Sequence, residues 1–328
     1  MKSGDAYLRE RKSDGAEIFK AEKVANMSIY VEINIHAPMD DLWAKTQVPS
    51  LHQRWDLRFT KIEYLPRESD SQPQKFLYST RIGFGLHISG EGESVGSRDN
   101  ESGSRTFALK FWSDDSKSLI RQGSGYWKYI PTENGMKFLT WYDYFTRFGA
   151  IGRVFDALIF RPLMGWATAW SFDRLRLWLE KNLDPALSLQ RSIIYGISRV
   201  IVAFVWIYHG LVPKLIFQNQ DEVAMLMAAD IQPASAVSVL RFIGWAEIVF
   251  GLLLLIAWRA RNLFLANMVL MLCALAVVAI NSPQYLIAAF NPVTLNIMMI
   301  GLSLIGFMVG KDMPSAKRCQ RKKPEAES

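Results

Sequence analysis

The sequence predicts two unlike parts: an α+β domain in which a long helix lies across a curved antiparallel sheet, and behind it an all-α four-helix transmembrane bundle. Three observations carry this. The last 140 or so residues hold four apolar runs of membrane-spanning length, at 192–212, 237–258, 263–280 and 292–309, and the first 180 or so hold none. From Ser28 apolar and polar residues alternate with the period of a strand, and from Gly152 the period returns to that of a helix. At about 1.5 Å per residue each apolar run reaches roughly the 30 Å of a hydrocarbon core. Four buried helices of a soluble bundle would each need a polar stripe, and these runs carry only isolated polar residues.

Residues 1–27 come first, with charges every few positions and no apolar core of the kind a secretory leader has. They are expected to form a disordered or weakly helical extension, and Met27 is an alternative translation start. The soluble domain is expected over 28–183. Its first strand has Ile29, Val31, Ile33 and Ile35 on one face and Tyr30, Glu32, Asn34 and His36 on the other. Pro38 suits a first helical turn, Asp40 and Asp41 sit where the helix dipole favours acids, and Pro49 ends this short helix, so that SLHQRWD begins a second. Strand-like runs follow at 61–65, 75–90, 92–98, 105–112, 118–130 and 136–147, with Asn134-Gly135 as the strongest hairpin signal. Gly83, Gly85, Gly90 and Gly92 are expected at bends or bulges of a coiled sheet. The closing helix, 152–183, is expected to kink at Pro162. A helix across the concave face of a sheet usually leaves a cavity for an apolar ligand.

Sheet core is the plainer assignment for Trp112, Trp127, Trp141, Tyr142 and Tyr144. Thr140, Tyr142 and Tyr144 share one face, which makes them the candidate polar contacts of such a cavity. IYVEINIHAPMDDLW, followed by HQRWD, resembles the START-like superfamily of helix-grip domains, also called the SRPBCC or polyketide-cyclase-like group. That resemblance implies a hydrophobic pocket for a lipid, sterol, polyketide, quinone or hormone, and in a minority of members an enzyme of the cyclase or hydrolase kind.

A linker at 184–191 is expected to lead into the membrane domain, 192–310, and a basic tail, 311–328, to follow it. Positive charge marks the cytoplasmic side of short loops. Arg174, Arg176, Lys181 and Arg191 precede the first span, Arg259 and Arg261 join spans two and three, and six bases follow the fourth. The other two connections carry Lys214 against three acids, or no charge. Four spans with both termini in the cytoplasm satisfy every segment, and the basic tail reads as an orientation signal and headgroup contact.

Ionisable groups inside a span are costly and mark a pair or a site. Arg199 and Glu247 fall at similar depth on adjacent spans. Three arrangements stay open: a helix-locking salt bridge, a proton- or ligand-handling Glu247 tuned by Arg199, or separate placements. His209, Lys214, Arg241 and Asn296 gather near the outer boundary; Lys214 and Arg241 are expected to snorkel, whereas His209, Asn296 and, deeper on the inner side, Asn267 are too short and need partners within the bundle. The intramembrane polar cluster is therefore Arg199, His209, Arg241, Glu247, Asn267 and Asn296.

SRVIVAFVWIYHGLVPKLI, GWAEIVFGLLLL and NPVTLNIMMIGLSLIG resemble the DoxX-like family over about 191–311. The name comes from subunits of a membrane thiosulfate-to-quinone oxidoreductase, so this resemblance makes a quinone a candidate cofactor and a membrane redox complex a candidate partner.

The net charge of +7 does not indicate nucleic acid, because the bases are scattered in front and bunched only beside the membrane. Mean hydropathy, +0.06, averages a charged front with an apolar back. Cys273 and Cys319 offer no disulfide framework. The four histidines have no metal-ligand spacing, and neither a phosphate-binding loop nor a nucleophile elbow occurs. The expectation is a multi-pass protein of the bacterial inner membrane that binds an apolar molecule, a lipid or quinone, with membrane lipids around it and no metal. Binding is favoured over catalysis because no catalytic constellation is visible.

Overall fold

The computed structural model describes residues 28–69, 72–83, 85–100, 103–289 and 291–324; the expected N-terminal extension and the Met27 start lie outside them. The chain divides into two units: one holds the residues up to Pro185 together with those from Ser315 onward, and the other is Ala186–Pro314.

In the first unit the alternating run forms β1 (Ile29–Ile35), followed by α1 (Met39–Gln47) and α2 (Pro49–Trp55). Pro49 stands in the first turn of α2, where its missing N–H is harmless. Then come β2 (Lys61–Tyr64), β3 (Lys75–Gly83), β4 (Leu86–Asp99), β5 (Arg105–Trp112), β6 (Ile120–Thr132) and β7 (Gly135–Thr146). They make one antiparallel sheet in the order β1-β7-β6-β5-β4-β3-β2. The run expected as a single strand over 75–90 is two, because the chain reverses around Gly85, whose φ of +76° few other residues tolerate. Gly90 and Gly92 accordingly sit inside β4 and not at a bend. The β6–β7 hairpin turns through Glu133 and Asn134, with Gly135 as the first paired residue.

The closing helix begins as α3 (Gly149–Phe155), widens into a π-helical turn (Asp156–Phe160) and continues as α4 (Arg161–Lys181). The widened turn stands where a kink was expected. Pro162, in the first turn of α4, has no N–H for an α-type bond, so the ladder shifts register just before it. α4 packs on β1, and Phe172 stacks on Phe138 of β7 at 4.5 Å between ring centres. Ile33, Leu42, Trp55, Phe138, Phe172 and Leu175 are buried there. The expected helix-grip arrangement is present.

The tail does not hang free. Gln320 forms a two-way backbone bridge with Glu32 on the edge of β1, and the Ser315 N–H donates to the buried Asp173 carboxylate at 2.7 Å.

The second unit holds the rest of α5, a helix that starts at Pro185 within the stretch expected as a linker and runs to His209, then continues as a π-helical segment (Gly210–Ile216). Then follow α6 (Gln220–Ala228), α7 (Pro233–Ile256), α8 (Asn262–Asn281) and α9 (Pro292–Val309). Four helices, α5 with its π segment, α7, α8 and α9, are long and apolar enough to cross a membrane.

Candidate functional site

Two places in the chain gather polar chemistry in apolar surroundings, one in each unit. The first is the concave face of the sheet. α2 ends at Asp56, whose extended backbone (φ −86°, ψ 109°) turns the chain away and brings Arg58 back onto it. The Asp56 carboxylate accepts from Arg58 Nε at 2.9 Å and Nη2 at 2.6 Å, a two-pronged pair. His52, one helical turn earlier, places Nε2 3.1 Å from the same carboxylate.

Asp56 is 1% exposed, and aromatic rings surround the trio. His52 stacks on Trp55 at 5.0 Å and meets Trp127 edge-on at 4.9 Å, while the Arg58 guanidinium lies over the rings of Phe59 and Tyr142. Burial alone would raise the Asp56 carboxyl, but the charge and hydrogen bonds of Arg58, with His52, hold it well below the usual carboxylate range. Burial lowers His52 in spite of Asp56, so its imidazole is neutral at neutral pH. A neutral ring that donates from Nε2 keeps Nδ1 as an acceptor. HQRWD was visible in the sequence, but its role was not: the i, i+4 spacing of His52 and Asp56 suits any helix, and only the turn after Asp56 aims Arg58 inward.

The sheet beneath is shaped by glycine. A Cβ on Gly92 would come 2.3 Å from the Phe76 ring, one on Gly90 2.4 Å from Tyr78, and one on Gly123 2.5 Å from Phe111. The three rings therefore lie against the sheet on strand neighbours that have no side chain. With Phe107 and Leu109 they give a half-buried apolar floor. On the outer side of β2–β4 a separate open cleft of about 370 Å³ is lined by Lys61, Glu63, Leu77, Glu91 and Asp115, among others.

The three candidate contacts of β7 lie on the concave face, with their polar atoms engaged. The Tyr142 hydroxyl is 2.9 Å from Thr168 Oγ1 of α4, and the Tyr144 hydroxyl donates to Asp156 at 2.8 Å. Thr140 Oγ1 donates to the Tyr126 carbonyl. Arg161 completes the second contact, with Nε on Asp156 and Nη1 on Asp143, both at 2.8 Å. Tyr142 and Tyr144 thus tie the closing helix to the sheet.

In the helical unit the expected cluster separates. Arg199 is fully buried and does not meet Glu247. Its guanidinium donates to the carbonyls of Leu254, Ala257 and Ala260 and to the Tyr195 hydroxyl, which caps the C-terminal end of α7. Asn267 accepts from Trp206 Nε1 at 2.6 Å and donates to Ser303 at 2.7 Å; Asn296 donates to the Met271 carbonyl. Arg241 is exposed, and His209 ends the regular part of α5 just before the π segment.

The partner of Glu247 is Lys214, expected to snorkel but buried. Lys214 Nζ lies 3.1 Å from Glu247 Oε2 and 2.9 Å from Glu222 Oε2. A crossing of two glycines brings them together: a Cβ on Gly210 would come 2.4 Å from the Gly244 carbonyl, and one on Gly244 2.9 Å from that of Gly210. Lys214 stands one turn beyond the first glycine and Glu247 one turn beyond the second. Among the described residues, no three His, Cys, Asp or Glu side chains converge as a metal site.

Comparison with known proteins places these observations. The structure of a STAR-related lipid transfer protein from Xanthomonas axonopodis is similar over 45% of this chain and 82% of that one, at 14% identity and TM-score 0.36. The di-domain ARO/CYC protein StfQ of the steffimycin biosynthetic pathway is similar over 56% of this chain and 62% of that one, at 14% identity and TM-score 0.40. The DoxX-like family model matches residues 203–304. The uncharacterized membrane protein YndG of Bacillus subtilis (strain 168) is 54% identical over 186 residues, 56% of this chain and 68% of that protein. The chain belongs to the same family as YndG: it is a membrane protein with a DoxX-like helical domain behind an α+β domain.

Proposed function

We propose that the START-like domain holds an apolar molecule with one polar end, a lipid or a quinone, at the cytoplasmic surface of a bacterial cell membrane. The observation that carries this reading is the concave face: an apolar floor of rings seated over glycines, beside a buried Arg58–Asp56–His52 group whose imidazole keeps an acceptor nitrogen. An entirely apolar core would do the structural work without three desolvated polar side chains, which are retained against a cost. A polar head directed at His52, with its tail along Phe76, Phe111 and Leu109, uses both features. Tethering the pocket to the bilayer raises the effective concentration of a ligand that partitions there.

Membrane sidedness supports the cytoplasmic placement. Residues before the first span and after the fourth belong to the same folded unit, which is consistent with an even number of crossings. The basic segments at those ends mark that side as cytoplasmic.

The test is purification in mild detergent followed by extraction and mass spectrometry of bound lipids and quinones. One apolar species near equimolar amount is expected, and it falls sharply in Gly123→Val, whose side chain displaces the Phe111 ring from its seat on the sheet. Protein that is reproducibly empty overturns the reading.

A second reading rests on the Lys214–Glu222–Glu247 group: a proton- or quinone-handling site in a membrane redox complex. Two carboxylates sharing one ammonium leave a net negative charge in apolar surroundings, and ionisable groups placed there mark a functional site. It predicts that Glu247→Gln abolishes a quinone-linked activity without loss of folded protein.

A further inference from the structure

The closing helix of the soluble unit is amphipathic the wrong way round. From Gly149 to Trp166 two of its three charged residues, Asp156 and Arg161, face inward and are buried, paired with each other and with Tyr144 and Asp143. Its large apolar residues face outward. Ile151, Val154, Phe155, Leu158, Ile159 and Leu163 follow one another at helical spacing and all are exposed, Ile151 to 83% and Leu158 to 73%. Trp166, also exposed, closes the stripe. A domain surrounded by water puts such a stripe on its core, and one this long and continuous marks a surface that water does not cover.

We propose that the stripe from Ile151 to Trp166 lies in the headgroup and upper acyl layer of the bilayer that the same chain crosses. The connection argues for lipid over any other cover. α4 ends at Lys181 and the first spanning helix begins at Pro185, so three residues separate this unit from a span. A unit tied that closely to the membrane exposes its surface to lipid at high effective concentration. Composition agrees: helices that lie in the interface carry a band of Leu, Phe and Trp flanked by bases, and Arg153 is exposed between the apolar residues. Trp166 at the end of the stripe has the amphipathic ring that collects at headgroup depth. None of this depends on what the concave face holds.

The experiment uses the full chain with Cys273→Ser and Cys319→Ser, carrying single cysteines at Ile151, Leu158, Lys117 or Leu272 labelled with an environment-sensitive fluorophore. It is reconstituted into vesicles of phosphatidylethanolamine and phosphatidylglycerol. Lipids bearing a nitroxide high on the acyl chain are expected to quench Ile151→Cys and Leu158→Cys several-fold more than Lys117→Cys, an exposed polar position, and within range of the mid-span Leu272→Cys. Aqueous iodide is expected to reach only Lys117→Cys. Labels at 151 and 158 that iodide quenches like the one at 117 overturn the proposal. So do labels shielded from both quenchers, which would mean a protein partner or a second copy covers the stripe. Because both positions are exposed, the labelled variants keep the core, and size-exclusion elution with the parent confirms it before reconstitution.

Discussion

Lys214 Nζ lies 3.1 Å from Glu247 Oε2 and 2.9 Å from Glu222 Oε2. One ammonium therefore serves two carboxylates. Glu222→Gln or Glu247→Gln alone leaves Lys214 a partner, whereas the double substitution leaves a nearly buried cation with none. Chemical denaturation in mixed micelles should show the double variant destabilised beyond the sum of the singles, by about 1 kcal/mol or more. Additive losses would mean that the two contacts act independently.

Arg199 makes the opposite case, a buried cation held by carbonyls. Its donors satisfy the C-terminal end of α7, where unbonded carbonyls would otherwise face lipid. Arg199→Ala should lower the stability of the helical unit by about 3 kcal/mol, and Arg199→Lys by a large part of that, because an ammonium cannot reproduce the planar spread of donors. Glu247→Gln in the same assay should leave the Arg199 contribution untouched. Thermal unfolding in detergent checks both.

The sheet-bearing unit should lose stability as pH falls. His52 has its pKa lowered by burial, so the unfolded chain binds its proton first, and the loss begins as pH drops through the ordinary histidine value of about 6.5. Asp56 is lowered as well, by Arg58 against the opposing effect of burial. Its contribution is present above the ordinary aspartate value of about 3.9 and disappears below it. Both run in the same direction. Near-ultraviolet circular dichroism melts between pH 8 and pH 5 should fall in the parent and flatten in His52→Phe, which keeps the stacking on Trp55 and cannot titrate.

Asp173, wholly buried, accepts from Arg176 Nε at 2.7 Å and from the Ser315 N–H at 2.7 Å. Ending the chain at Pro314 removes the second donor and the Gln320–Glu32 bridge. The truncated protein should still insert in membranes, and its sheet-bearing unit should be destabilised by about 2 kcal/mol, read as faster limited proteolysis ahead of residue 185. An unchanged cleavage rate would mean that the tail adds nothing to the fold.

The sequence by itself determined that a strand-rich part precedes a part with four spans, and that a long helix closes the sheet. Each rests on local periodicity: apolar runs of about 20 residues, Ile29 to Ile35 alternating by two, and a helical period from Gly152. It also singled out Arg199 and Glu247 as too costly to stand alone in a membrane. Tertiary structure decided their partners. Depth along a helix is linear in sequence, but the side a residue faces depends on the crossing of Gly210 with Gly244 and on a π-helical segment, and these turn Lys214 onto Glu247 and leave Arg199 to the carbonyls of α7. Likewise the concave face became legible only in the sheet, because glycines at 92 and 123 meet Phe76 and Phe111 across strands, through a register that no single strand encodes.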